Sequence, residues 1–361
     1  MKKLVLLLSL CAVIAWAAPA PAAQPGLDAL AGQAVALAQE RLGPLNDPAK
    51  VACLTNAGYA QYKGQETLCL YDGLARLAPI SPGRGNLLVR PCPPGRPLYF
   101  MFLKKQGPDK LMMTYVQTAK GALSASQALD IHLGVGTSFK PFSKVLGPMT
   151  FNLVTLANGW AMGMPHDLMR AALRHGHLCC GVFTGYFTAR YILKHMPLGP
   201  GQRYIYVGAP AWCQDDYLID YLGLSPGTHG YFTMAYHWSR PWKTKERTYD
   251  KLGGVIIRWD PRQKTGQAWV LSFDWHHDAF RKYVGQPNLK LDWRGQPWLH
   301  NAYDRFFMSK LDQPDYFVST ITSAPLKGQA QLDRLIGLGA NPLAVLLGPD
   351  PSWPQTKTRK P

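Results

Sequence analysis

Acidic residues are scarce in this sequence: 22 Asp and Glu stand against 39 Lys and Arg, giving a formal charge of +17 on 361 residues. A basic excess draws anionic partners, but it points to nucleic acid only where the basic residues gather into a patch or stripe. Here they are scattered, and the densest groups, Lys243 to Arg247 and Lys357 to Lys360, read as a loop and a solvated tail. Nucleic acid is therefore not an expected partner. After the first residues there is no apolar run long enough to span a bilayer, so no membrane span is expected. Also missing are a P-loop, a GxGxxG turn after a strand, a GxSxG elbow, a CxxCH haem site and any repeat of fixed period. Their absence removes the commonest nucleotide, serine-hydrolase and c-type haem readings.

The opening stretch MKKLVLLLSLCAVIAWAAPAPAA has a positive start, an apolar run of about a dozen residues and small residues before a cut near Ala22 or Ala23, the pattern of a secretory signal. Cys11 follows Leu10, where a lipoprotein cut needs a small residue, so no lipid anchor is expected. The mature chain is expected to be exported, periplasmic or secreted. Removing the leader leaves Cys53, Cys69, Cys92, Cys179, Cys180 and Cys213, an even set that an oxidising compartment would invite to pair.

Residues 27–42 repeat apolar positions at helical spacing and stop at Gly43-Pro44, predicting an N-terminal helix within 24–48. A strand, a turn and a short helix from about Glu66 to Leu77 follow. The segments GNLLVR, PLYFMFLKK and LMMTYVQ suggest a three-stranded antiparallel meander. Residues 119–147 read as a long excursion, and HDLMRAALRH as a helix ended by Gly176. Gly181, Gly185 and Ala189 then form a small-residue stripe that lets a neighbour approach a central helix closely. RYIYVGAP reads as a strand, WCQDDYLIDYLG as a short helix and GVIIRWD with GQAWVLSFD as a hairpin. The expected class is α+β, with a mixed or antiparallel sheet packed with helices. The expected organisation is a signal at 1–23, the N-terminal helix at 24–48, the main domain at 49–275, an extension packed on the core at 276–345 and a disordered tail at 346–361.

The chemistry concentrates in RHGHLCCG. Gly176 lets the chain bend between His175 and His177 so that both imidazoles enter one volume. His177 shares a side with Cys179 if the loop is extended, and His175 shares a face with Cys179 if it is helical. Either geometry supplies a nitrogen and a thiolate together, which suits zinc or a similar divalent metal. Cys179 also opens a new helix, whose positive end favours a thiolate and an activated nucleophile. In CQDD, Cys213 and Asp216 lie one helical turn apart and project to the same face, where they can complete a metal sphere or hold a proton acceptor. His229, in the turn after this helix, could fold back over the pocket, whereas His276-His277-Asp278 read as a surface turn. Cys180, with no part in the ligand set, is free to bridge to the odd cysteine among Cys53, Cys69 and Cys92.

HGHLCCG followed by CQDD, GLSPG and the TGQA hairpin resembles the formylmethanofuran dehydrogenase E-like family, whose pattern reads HGHxCPG, then CxxD, then a glycine-rich turn. The segment LTNAGYAQYKGQETLCLYDGLARLAPISPGRGNLL is also similar to the upstream region of larger members, so the resemblance covers roughly residues 50–275. It implies an α+β core with a metal-binding pocket, and carries over His175, His177, Cys179, Cys213 and Asp216. Cys180 stands in place of the family proline and Thr228 in place of its lysine, and the cysteine-rich zinc finger is missing.

These residues predict an exported protein with one divalent metal, zinc the best match, held by His175, His177, Cys179 and Cys213, with Cys179 and Asp216 as the catalytic pair. The expected partner is a small-molecule substrate or a metal donor or acceptor, and a homodimer is compatible with the sequence. Three rivals share the same residues: a non-enzymatic metal carrier, a periplasmic thiol redox protein using Cys179, and a basic nuclease with histidine acid–base groups.

Overall fold

The computed structural model describes residues 25–119, 122–234, 241–249 and 251–352. The signal segment therefore lies outside the described residues, as does the end of the expected tail. Helix α1 (Pro25–Leu42) comes first, and strand β1 (Val51–Thr55) follows the turn at Asp47. A small hairpin, β2 (Gln61–Tyr62) with β3 (Gln65–Glu66), leads to helix α2 (Leu70–Leu77) and strand β4 (Leu87–Val89). The first sheet is completed by β5 (Tyr99–Lys105), β6 (Leu111–Ala119), β7 (Ala122–Ala125) and β8 (Leu129–Asp130).

The expected meander of three consecutive strands is corrected by the pairing. β1 inserts between β4 and β5, parallel to the first and antiparallel to the second, so the order is β4-β1-β5-β6-β7. The reason is burial: β1 is buried at every position and needs neighbours on both edges. Side chains alternate across this sheet. Val51, Cys53, Phe100, Phe102 and Val116 face α1 and α2, while Ala52, Leu54, Met101, Leu103 and Met113 face the centre of the molecule.

The central layer is helical: α3 (Lys140–Leu146), α4 (Thr150–Ala161), α5 (His166–His175) and α6 (Cys180–His195). Beyond it lies a second sheet. Strand β9 (Arg203–Gly208) leads into helix α7 (Cys213–Tyr221), then β10 (Tyr231–Thr233), the short pair β11 (Trp242–Lys243) and β12 (Thr248–Tyr249), and the hairpin β13 (Leu252–Asp260) with β14 (Thr265–Phe273). Helices α8 (His277–Tyr283), α9 (Trp298–Met308) and α10 (Pro314–Phe317) then precede β15 (Val318–Lys327), which returns to the sheet edge to give the order β10-β9-β13-β14-β15. Helices α11 (Gln329–Ile336) and α12 (Pro342–Leu347) cover the outer face of this sheet, against Ile205, Val207, Val255 and Ile257.

Helix and strand are mixed without regular alternation, so the class is α+β, with both parallel and antiparallel pairs in each of the two large sheets. The aromatic-rich stretch after Trp275 has no sequence period because it packs as an aromatic cluster: Trp275, Trp293, Tyr303, Phe306, Phe307 and Phe317 interlock, and Phe307 reaches Phe183 and Phe187 on α6. The tail is ordered further than expected. α12 runs to Leu347, and Asp350 is buried, accepting from the backbone N–H of Lys243 at 3.0 Å. No described helix is long and apolar enough to cross a membrane.

Candidate metal centre

Helix α5 ends at His175 because Gly176 adopts φ +92°, a left-handed C-cap that glycine reaches without a Cβ clash, and its N–H bonds to Ala172 at 2.9 Å. The Gly176 carbonyl is held from two sides, by Asn152 Nδ2 on α4 at 2.9 Å and by Arg90 Nε just after β4 at 3.0 Å. Leu178 is buried and its N–H donates to Thr155 Oγ1 at 3.2 Å. The turn is thus fixed by helix and sheet elements far apart in sequence. Cys179 then caps α6 in an extended conformation.

The stripe on α6 positions the second half of the site. A Cβ on Gly185 would come within 2.4 Å of the Gln214 carbonyl, and one on Gly181 within 2.8 Å of Cys213 Cβ, so the start of α7 rests directly on α6. The two aspartates of CQDD divide their tasks. Asp215 caps α7, accepting from the Trp212 N–H at 2.8 Å, while Tyr231 donates to it at 3.2 Å; burial pushes its carboxyl up to about 7. Asp216, one position on, turns to the site.

There, ligand atoms of His175, Cys179 and Cys213 all lie within 4.8 Å of one another. Asp216 Oδ2 meets His175 Nδ1 at 2.6 Å, and His175 Nε2 lies 3.9 Å from Cys179 Sγ and 3.2 Å from His177 Nε2. In a tetrahedral zinc sphere with bonds of about 2.0–2.3 Å, neighbouring ligand atoms sit about 3.3–3.8 Å apart, so a modest contraction closes the cluster. A carboxylate behind a histidine fixes the Nδ1–H tautomer and leaves Nε2 free to ligate. The donor set, one imidazole and two sulfurs, fits a borderline metal ion. His177 touches His175 but stands outside the three-residue cluster, on the side where Phe151 packs between it and His300.

Electrostatics divides the two sulfurs in the direction opposite to the helix-start argument. Cys179 is buried, and both its hydrogen bond to Cys213 and its burial push its thiol up. Cys213 is lowered, first by that hydrogen bond from Cys179 and then, against burial, by His175. The arrangement therefore favours a thiolate on Cys213 over one on Cys179, whose burial works against the N-terminal dipole of α6. His175 is raised to about 9: burial opposes its charge, but Asp216 and Cys213 outweigh it. His177 is lowered to about 4 by burial and then by the charges of His175, His300 and Arg90.

Other expected contributors lie elsewhere. His229 is exposed, and its turn bonds to itself and to Arg203, at the end of β9 opposite the one that feeds Cys213. His276 bonds to the Tyr316 carbonyl and His277 to the Tyr303 hydroxyl, each at 2.5 Å. Cys180 makes no bridge; all six described cysteines are free. It lies in the central core, whereas Cys53, Cys69 and Cys92 belong to the core on the other face of the first sheet, and its partner is His300 Nδ1 on α9 at 3.6 Å. Arg90, Asn152, Phe151 and His300 had no local sequence signal, because each reaches the site only through tertiary packing.

The family described as FmdE, molybdenum formylmethanofuran dehydrogenase operon, matches residues 174–293. This span begins at the turn itself rather than near residue 50, and runs past the hairpin through α8 to Trp293. No curated protein matches the chain. The matched segment, about a third of the chain, is the one that supplies His175, Cys179, Cys213 and Asp216, and it is similar to the FmdE family over that span.

Proposed function

We propose that the protein is an exported metal-binding protein whose FmdE domain holds one divalent ion, with zinc the best match, and uses it on a small molecule. The observation that carries this reading is the convergence of His175, Cys179 and Cys213, with Asp216 locked on the far nitrogen of the imidazole. His175 Nε2, Cys179 Sγ and Cys213 Sγ would be the ligands. His177 either completes the sphere or, kept neutral by its burial, accepts a proton beside it. An ion with an open position would polarise a bound oxygen or lower the pKa of water. Asp216 keeps His175 oriented in either case.

A second reading rests on the proximity of two free sulfurs, Cys179 and Cys213 within 4.8 Å of each other, with Cys213 lowered and Cys179 raised. In a thiol redox protein, the Cys213 thiolate would attack a partner disulfide to form a mixed disulfide. Cys179 would resolve it, leaving a Cys179–Cys213 disulfide and two reduced thiols on the partner.

Elemental analysis of the untagged mature protein, beside Cys179→Ala and Cys213→Ala, separates the two. Stoichiometric metal in the parent and its loss in both variants supports the metal centre. A metal-free parent that exchanges with a glutathione buffer at a defined potential overturns it in favour of the redox reading.

A further inference from the structure

We infer that Arg90 is the anion-recognising residue of this site and that the small molecule it takes carries a carboxylate; this rests on the metal-site reading only for where the rest of that molecule lies. Arg90 lies just after β4, outside the matched FmdE span, and reaches the turn at the Gly176 carbonyl. Its Nε–H is used on the Gly176 carbonyl at 3.0 Å, and Nη2 lies 3.2 Å from the place a Cβ on Gly176 would occupy. The guanidinium therefore packs against the glycine between the two histidines, where a Cβ at position 176 would crowd it.

The remaining Nη donors have no acidic partner among the described residues, although Arg90 is half-buried. A half-buried guanidinium without a counter-ion is costly unless an anion arrives to meet it. Asp216, the carboxylate that meets the histidines, is taken up by His175. Tyr99 adds a second pointer: it is 2 % exposed, Arg90 acts on its oxygen both as a neighbouring charge and as a side-chain hydrogen-bond donor, and its own O–H has no acceptor among the described residues. Burial keeps that phenol protonated, so it is a donor. A planar carboxylate accepting from the Arg90 fork and from Tyr99 would satisfy both groups, with the rest of the molecule directed toward His177 and the metal corner. The basic excess of the chain favours the arrival of such a ligand.

The test is calorimetric titration of the untagged protein with benzoate and acetate, with inorganic phosphate as a second oxyanion and benzamide as a neutral control. It is run with metal bound and after chelation, and metal content is measured in every sample. Benzoate should bind in both forms and benzamide in neither. Arg90→Met should weaken benzoate about tenfold or more, the loss expected for a charge-assisted pair. Asn152→Ala removes the other donor to the Gly176 carbonyl while keeping the cation, and should stay within about twofold of the parent. Should Arg90→Met fail to fold, Arg90→Lys carries the test, since it keeps the charge and loses the fork, with a loss of about threefold or more. Tighter phosphate than benzoate, equal losses in Asn152→Ala and the Arg90 variants, or full binding without Arg90 would each overturn the inference. A metal-free parent that still binds benzoate through Arg90 would refute the metal reading and leave this one standing; a metal-loaded parent that binds no carboxylate would do the reverse.

Discussion

Gly181→Ala puts the smallest change at the place where the two halves of the centre touch. The added Cβ would lie 2.8 Å from Cys213 Cβ, 3.2 Å from Cys213 Sγ and 3.5 Å from Cys179 Sγ. Ordinary carbon–carbon contact needs about 3.5–4.0 Å, so α7 must retreat by roughly 0.7–1.2 Å at Cys213. Metal–ligand bonds tolerate only about 0.2 Å, so a retreat of that size takes Cys213 out of the sphere. Alanine is favoured over glycine inside a helix by about 1 kcal/mol, whereas overpacking costs about 1–3 kcal/mol. Net stability should therefore fall by no more than about 2 kcal/mol, and the variant should remain folded. Metal affinity, read by competition with a chromophoric chelator, should fall about tenfold or more. A Gly181→Ala protein that binds zinc as tightly as the parent would refute the argument that the small-residue stripe serves the centre by bringing Cys213 to it.

Asp216→Asn keeps the shape but removes the charge behind His175, and should lower metal affinity about 10–100-fold in the same competition assay with little change in melting temperature. Metal binding at pH 7 should release about two protons, one from the Cys179 thiol and one from His175 Nε2, because Cys213 is already a thiolate and Nδ1 keeps its proton on Asp216. Affinity should accordingly rise steeply with pH up to about 9, where His175 loses its proton without metal, and less steeply above it, where only the Cys179 proton is still displaced; calorimetry in buffers of different ionisation enthalpy counts the protons directly. Asn86→Ala removes a buried amide that donates to the Val51 carbonyl at 3.1 Å and the Pro79 carbonyl at 2.8 Å and accepts from the Ser81 N–H at 2.9 Å; unfolding in urea should show a loss of about 2–4 kcal/mol with metal content unchanged.

What could be read from the sequence was what is local. The Gly176 bend, the pairing of Cys213 with Asp216 at one helical turn, the striped helix and the β13–β14 hairpin all follow from spacings of a few residues. The structure keeps each of them at the expected place. What sequence could not supply was partner choice at a distance. β1 looks no different from its neighbours as a string, yet its full burial places it between β4 and β5. Nothing in the string keeps Cys180 from a bridge, but the first sheet stands between it and the N-terminal cysteines.

The sequence by itself determined which groups carry the chemistry, because a glycine bend, two imidazoles and a helix-start cysteine constrain one another within five residues. Only the tertiary structure decided how they are used. The approach of α7 over Gly181 and Gly185 brought Cys213 to His175, and the hydrogen bond between the two sulfurs, with the burial of Cys179, favours the thiolate on Cys213 over Cys179. The reach of β4 across the turn set Arg90 beside the histidines. Local spacing fixes where a side chain points from its own element, but the charge it carries depends on solvent exclusion and neighbouring charges, which packing between distant segments creates.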